Sequence, residues 1–213
     1  MAMSVKLYSN EKKRVQQLLR ALKKLFPHPK IALTYSNNWE LLVAVVLSAQ
    51  CTDKKVNEVT EKLFKKYKTF IDYTRAKQDE FEQDIRSTGF YRNKAKHILA
   101  SAKIIQREYG GKIPEKMEEL LMLPGVARKT ANIILGNAFG IVEGIAVDTH
   151  VARLSKRFGL SKHTNPEKIE KDLMDLFPKK EWFTLTYRLI EYGRKYCSAR
   201  ACSLNHPLRT FDR

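Results

Sequence analysis

Residues 117–139 read Met-Glu-Glu-Leu-Leu-Met-Leu-Pro-Gly-Val-Ala-Arg-Lys-Thr-Ala-Asn-Ile-Ile-Leu-Gly-Asn-Ala-Phe. Two apolar helical stretches are interrupted by Pro124-Gly125, so the spacing predicts a short helix ending at Leu123, a tight turn, and a second helix beginning near Val126. Proline presets the first dihedral of such a turn, and glycine lets the backbone pass close to a neighbour. The first amides of the second helix lack partners within it and point outward, where the helix dipole favours an anion. A helix–hairpin–helix of this kind can hold a phosphate backbone without reading the bases attached to it. A Leu-Pro-Gly turn alone joins many helix pairs; Lys129 and Thr130 on the following helix make the run far more specific.

Outward from the hairpin, the period is helical nearly everywhere. Val15, Leu18, Leu19, Leu22 and Leu25 recur at helix spacing over about residues 11–26, and Pro27 and Pro29 stop that helix. Trp39 to Gln50 is apolar almost all round, as a buried central helix would be. Val56, Val59, Leu63 and Phe64 mark the inner face of a charged helix. Ala95, Ile98, Leu99, Ala102 and Ile105 mark another, ended by Gly110-Gly111. Ile169, Leu173, Leu176 and Phe177, then Trp182, Leu185, Leu189 and Tyr192, carry the last two. Ile141 to Val147 is the one weak strand candidate and reads as an extended connector. The expected fold class is all-α.

A chain of 213 residues makes one or two domains with a core that needs no disulfides. No apolar run approaches a membrane span, the longest being Leu41 to Leu47, and the N-terminus does not read as a secretion signal. Three cysteines argue against a disulfide framework and for a reducing cytosol. Forty Lys and Arg against 23 Asp and Glu give a formal charge of +17, which attracts polyanions at long range. Residues 1–30 hold eight basic residues against one acidic, and residues 141–213 hold 14 against nine. Residues 31–140 carry only +5, so the two ends form one strongly basic body around a more balanced middle.

Four ordered motifs now carry a resemblance. Leu123 to Ala131, then Val147-Asp148-Thr149-His150-Val151, together with Ser48-Ala49-Gln50-Cys51-Thr52-Asp53 and Gly89-Phe90-Tyr91-Arg92-Asn93-Lys94-Ala95, resemble the endonuclease III branch of the helix–hairpin–helix DNA glycosylases. The likeness runs from about residue 10 to about residue 200. It implies a two-lobed all-α fold with a DNA-binding cleft between the lobes. Residues 31–140 would form a helical barrel containing the hairpin, and residues 1–30 with 141–213 a second, discontinuous domain. One departure lies in the hairpin: Ala127 stands where the family usually has a second glycine.

The resemblance places Lys129 as the nucleophile and Asp148 as its assistant. An amine must be uncharged to attack, and its product with the sugar is an iminium that acidifies the neighbouring proton, so the 3′ phosphate is eliminated without metal. A carboxylate stabilises positive charge developing on the sugar or relays protons. Read bare, a lysine beside an arginine is an ordinary basic surface and an aspartate before Thr-His is a helix N-cap; Asp148 could do both jobs. By the same resemblance Gln50 fills the gap left by an extruded nucleotide and Phe90 props the base stack open. Read bare, Gln50 is an N-cap or helix-end polar group and Phe90 plain core packing. His150 contacts DNA near the lesion in this reading, Arg92, Lys94 and Lys96 form a phosphate-contacting edge, and Leu123, Gly125, Ala127, Arg128 and Thr130 form the hairpin clamp.

Relatives in this branch commonly carry a [4Fe–4S] cluster on four cysteines spaced by six, two and five residues. Here Cys197 and Cys202 are separated by four residues with no cysteine after them. Aligning on Cys202 puts Asn205 and Phe211 where the last two ligands would fall. The sequence therefore predicts no iron–sulfur cluster and metal-free catalysis. A zinc site from Cys197, Cys202 and His206 lacks a fourth ligand. The two cysteines are expected to be small core residues, not a disulfide, and Tyr196, Leu204, Pro207, Leu208 and Phe211 to order the C-terminal loop. A monovalent cation at the hairpin carbonyls is left open. The expected partner is double-stranded DNA with a damaged base or abasic site, engaged by a monomer in a prokaryotic cytoplasm, with no membrane. The function implied is a bifunctional glycosylase and AP lyase of base excision repair, acting on oxidised pyrimidines. The rivals are a monofunctional or mismatch-specific glycosylase, against which Lys129 argues, and an inert DNA-binding module that keeps only the clamp.

Overall fold

Among the described residues eleven α-helices succeed one another: α1 Ala2–Leu25, α2 Asn38–Leu47, α3 Asp53–Lys66, α4 Phe70–Arg75, α5 Gln78–Asp84, α6 Tyr91–Tyr109, α7 Met117–Leu121, α8 Arg128–Ile134, α9 Thr149–Arg157, α10 Pro166–Leu176 and α11 Lys179–Lys195. They come from a computed structural model that describes residues 2–199, 202–203 and 205–213, with side chains from Asn10 onward. The one β feature among the described residues is an isolated bridge between Cys197 and Cys202, so the all-α expectation holds. The first helix begins well before residue 11 and stops at Leu25, ahead of Pro27. α4 and α5 are too short to have shown a period. Two compact units result, residues 32–143 and residues 1–31 with 144–213.

In the unit of residues 32–143, α2 is the axis of the core. Trp39 and every residue from Leu41 to Leu47 are buried, and α3, α6 and α8 pack around it. An apolar side chain taken fully out of water contributes about 1.5–3 kcal/mol, so this one helix supplies much of the drive for the unit. Asn37 caps its start by accepting the Glu40 amide at 3.0 Å. Near the other end of α3, Tyr67, Tyr73 and Phe81 pack ring against ring at 5.2–5.9 Å. Burial, with Asp84 alongside, pushes the Tyr67 hydroxyl up to about 12.

The other unit packs α1 against α11 and α11 against α9, around Leu18, Leu22, Leu154, Phe158, Leu173, Leu185 and Tyr192. Glu181 of α11 accepts from Lys23 of α1 at 2.7 Å and from Arg188 at 3.0 Å, and Arg188 also reaches the Phe26 carbonyl at 3.2 Å. Burial alone would raise the Glu181 carboxyl, but the two cations outweigh it and hold it below its ordinary value.

The C-terminal turn departs from expectation in several ways. Cys197 and Cys202 are joined as a disulfide, not left as separate core thiols, because the bridge between their backbones brings the Cα atoms to 3.9 Å. Leu208 is buried, and Tyr196 and Phe211 pack against the core as anticipated. Pro207 is exposed, and Leu204 lies outside the described residues. The larger share falls to a polar chain that hydropathy could not reveal. His206, only 3% exposed, has Nδ1 2.5 Å from the Tyr192 hydroxyl and Nε2 3.1 Å from Asp212 Oδ2. The Leu208 amide donates to the Tyr192 oxygen at 3.2 Å, so the hydroxyl proton points to Nδ1 and Nε2–H donates to Asp212. Arg157 holds both oxygens of Asp212, at 2.9 and 2.6 Å.

Burial works to raise the Asp212 carboxyl, but Arg157 and His206 hold it below its ordinary value. A carboxyl lowered by folding adds stability above its unfolded pKa and loses it as the pH falls through the folded one. Asp212→Asn is therefore expected to lower the melting temperature at neutral pH by roughly 2–4 °C. The difference from the parent protein should shrink in melts taken below about pH 4.

Candidate functional site

The hairpin foreseen between residues 117 and 139 is built by one closed turn. The Val126 amide donates to the Leu123 carbonyl at 3.1 Å, around Pro124 and Gly125. Gly125 has φ 79°, the left-handed value that the second central residue of a type II turn must adopt. α6 fixes the turn from behind: Ser101 Oγ donates to the Pro124 carbonyl at 3.1 Å. The His97 ring occupies the space a side chain at 125 would need, its Nδ1 only 2.8 Å from where a Cβ would sit. Glycine is required here twice over, for its φ and for its missing Cβ.

Leu123 and Val126 are buried and anchor the turn, so Leu123 offers the outside only backbone. Met122, Gly125 and Ala127 are exposed. The second helix starts at Arg128, two residues later than the spacing predicts, because Ala127 serves as its cap. Ala127 has φ −92°, ordinary extended backbone, so alanine is unstrained at this cap. Arg128, Lys129 and Thr130 follow in the first turn of α8, each half-buried, while Ala131 and Ile134 face the core.

Asp148 lies on the other unit, at the start of α9. It is the N-cap: one carboxylate oxygen accepts the Val151 amide at 2.8 Å. The half-buried His150 packs its ring against Gly193 of α11, with Nδ1 3.2 Å from the Arg153 guanidinium, which in turn donates to the Cys197 carbonyl at 2.6 Å. Burial lowers the pKa of that guanidinium, and the charge of Asp148 opposes the shift.

Gln50 and Phe90 share an uncommon property. They are the two residues other than glycine with positive φ among the described residues, at 52° and 49°. Gln50 is exposed in the turn after α2, and Phe90, 63% exposed, caps the start of α6. An aromatic held out in water on left-handed backbone is not core packing. Arg92, two residues after Phe90, is exposed, 4.0 Å from Glu82 and stacked over Tyr91. Lys94 corrects the sequence reading. It is not on a phosphate-contacting edge but 4% exposed, with Nζ donating to the Leu47 carbonyl at 2.9 Å and the Thr88 carbonyl at 2.8 Å. Its register foretold this, since Lys94, Ile98, Ser101 and Ile105 fall on one helical face and all are buried. The same period would have flagged Ser101 behind the hairpin.

Neither metal implied or entertained from the sequence fits the residues present. A [4Fe–4S] cluster takes four thiolates, whereas the chain has three cysteines, and two of those are bonded to each other. The zinc site fails because those sulfurs are paired and both His206 nitrogens are engaged. Among the described residues no group of three His, Cys, Asp or Glu could hold a metal ion.

Comparison with known proteins gives a consistent result. The model of the HhH-GPD superfamily base excision DNA repair protein matches residues 43–179. An endonuclease III from Synechocystis sp. is 48% identical over 203 residues, 93% of each chain. One from Bacillus subtilis is 48% identical over 190 residues, 89% of this chain and 86% of that one. Two solved structures, a non-covalent endonuclease III–DNA complex and a trapped endonuclease III–DNA covalent intermediate, superpose with TM-scores of 0.91 at 45% identity, covering 95% of each chain.

Gly125→Ala is expected to cost about 1–3 kcal/mol in urea unfolding, from the left-handed backbone and the clash with His97 together. Adding His97→Ala should relieve the clash but not the φ penalty, so the double variant recovers only part of the loss.

Proposed function

We infer the function from kinship and from the site together: the chain belongs to the endonuclease III family of the HhH-GPD superfamily of base excision DNA repair proteins. It is a bifunctional DNA glycosylase and AP lyase. No helix among the described residues is long and apolar enough to cross a membrane.

Beyond that we propose the following roles. Duplex DNA carrying an oxidised pyrimidine or an abasic site is the substrate, bound by a monomer. The hairpin from Leu123 to Thr130 holds a backbone phosphate, with Arg92 as a further contact. Lys129 attacks C1′ of the deoxyribose with its uncharged amine. The C1′–base bond breaks with its electron pair going to the base, which leaves protonated; at an abasic site the C1′ hydroxyl leaves as water instead. The C1′–O4′ bond then opens, its pair going to the ring oxygen, which takes up a proton, as the nitrogen lone pair forms the iminium. The resulting iminium loses a proton from C2′, the 3′ phosphate departs as the new double bond forms, and water then releases the amine. One oxygen of Asp148 is spent on capping α9, and its charge stabilises the cationic sugar. Gln50 and Phe90 occupy the gap in the stack, and His150 lies beside the lesion.

The observation that carries this reading is Lys129 in the first turn after the hairpin, in a chain 45% identical to a protein trapped covalently on DNA. Lys129→Gln should lower cleavage of an abasic duplex by on the order of 10³-fold or more and abolish borohydride trapping, while DNA binding persists. Loss of trapping with unchanged cleavage would remove Lys129 from the mechanism. Affinity should also fall by roughly 10³-fold between about 50 and 200 mM salt, as a basic protein displaces condensed counterions.

A further inference from the structure

Lys94 is a buried cation that no carboxylate among the described residues pairs with, and its placement is particular. Its two acceptors come from different elements: Leu47 is the last residue of α2, three before Gln50, and Thr88 precedes Phe90 by two. Each turn ends on left-handed backbone. Phe90 additionally follows Gly89, whose φ of 69° and ψ of 156° lie in a region essentially open to glycine alone. A Cβ at 89 would meet nothing within 4 Å, so that glycine serves the backbone path and not a close contact.

Such turns persist only when their surroundings over-determine them. One ammonium here satisfies the exposed carbonyl end of α2, where positive charge is favoured, and the carbonyl leading into Gly89-Phe90. The Lys94 amide meanwhile donates to the Phe90 carbonyl at 3.1 Å, closing the first turn of α6 on the same residue. Burial lowers the Lys94 pKa, and charged donation to two carbonyls offsets that cost. A lysine serving only as packing would have no need to bring both carbonyls to a single nitrogen.

We propose that Lys94 is a positioning residue for the gap-filling pair: its ammonium locks the turn bearing Gln50 to the turn bearing Phe90, so that the two exposed side chains enter the duplex as one rigid unit. The proposal rests on the reading of Gln50 and Phe90 given above. Lys94 touches neither substrate nor reacting atoms; it sets the spacing of the groups that replace a displaced nucleotide.

Lys94→Met removes the donors at nearly constant length. The test compares cleavage of one abasic site in duplex and in single-stranded DNA, because a single strand offers no stack to fill. A 2-aminopurine opposite the site reports insertion by its fluorescence. The variant is expected to lose about tenfold or more in kcat on duplex but less than threefold on single strand, with a weakened fluorescence response. Equal losses on both substrates, or none, would overturn the proposal. Gln50→Ala and Phe90→Ala separate the two layers. If neither lowers the duplex-to-single-strand ratio, the gap-filling reading itself fails; if they lower it and Lys94→Met does not, only the role of Lys94 fails. Should Lys94→Met not fold, Lys94→Gln, which keeps a donor for one carbonyl, is read by the same ratio.

Discussion

The turn from Leu123 to Val126 keeps its shape because the His97 ring fills the place where residue 125 would carry a side chain, and because Ser101 holds the Pro124 carbonyl. The start of α8 follows directly from that turn. Ala127 caps α8 directly after the turn, and the side chain of Lys129 leaves the first helical turn in a direction the turn dictates. An amine on a flexible stem is a poor nucleophile until its backbone is fixed, since a small misplacement of reacting atoms is costly in rate. α6 therefore acts as a template. Phe90, Lys94, His97 and Ser101 succeed one another along one side of it, at spacings of four, three and four residues. The same stripe that presents the exposed Phe90 ring supports the hairpin that precedes Lys129.

The unit that bears Asp148 solves a different problem. In much of the family a metal cluster is expected to order the C-terminal segment, and this chain does not hold the cysteines for one. Its alternative is the hydrogen-bonded series from Tyr192 through His206 and Asp212 to Arg157, closed against a buried Leu208 and the Cys197–Cys202 bridge. A polar chain whose inner members, Tyr192 and His206, are buried specifies one geometry where an apolar patch would tolerate several. Arg153 joins this region to the start of α9 by donating to the Cys197 carbonyl while lying beside His150. The C-terminal segment thus bears on the residues that follow the Asp148 cap of α9.

Much of this was legible in the residues because their patterns are local. The long helices announce themselves by period, the hairpin by Pro124-Gly125, and the cap role of Asp148 by the residue type at a helix start. The charge of Lys94 points to an outer edge while its register, with Ile98 and Ile105 on the same face, points inward, and in the folded chain the register prevails. The left-handed backbone at Gln50 and Phe90 could not be seen, since neither residue type favours it; tertiary contacts impose it. The network around His206 was hidden for a similar reason. It joins α9, α11 and the C-terminal turn, and no window of sequence contains its four members. The disulfide contradicted an argument from cysteine count and compartment, which says nothing about two cysteines set on one tight backbone bridge.

The central claim is that the hairpin delivers one particular amine to the sugar. The most direct measurement is peptide mapping by mass spectrometry of the borohydride-reduced adduct formed on an abasic duplex. The account predicts that the deoxyribose fragment sits on the peptide containing Lys129 and on its side-chain nitrogen. An adduct mapped instead to the N-terminal amine, or to another lysine with Lys129 unmodified, would contradict it.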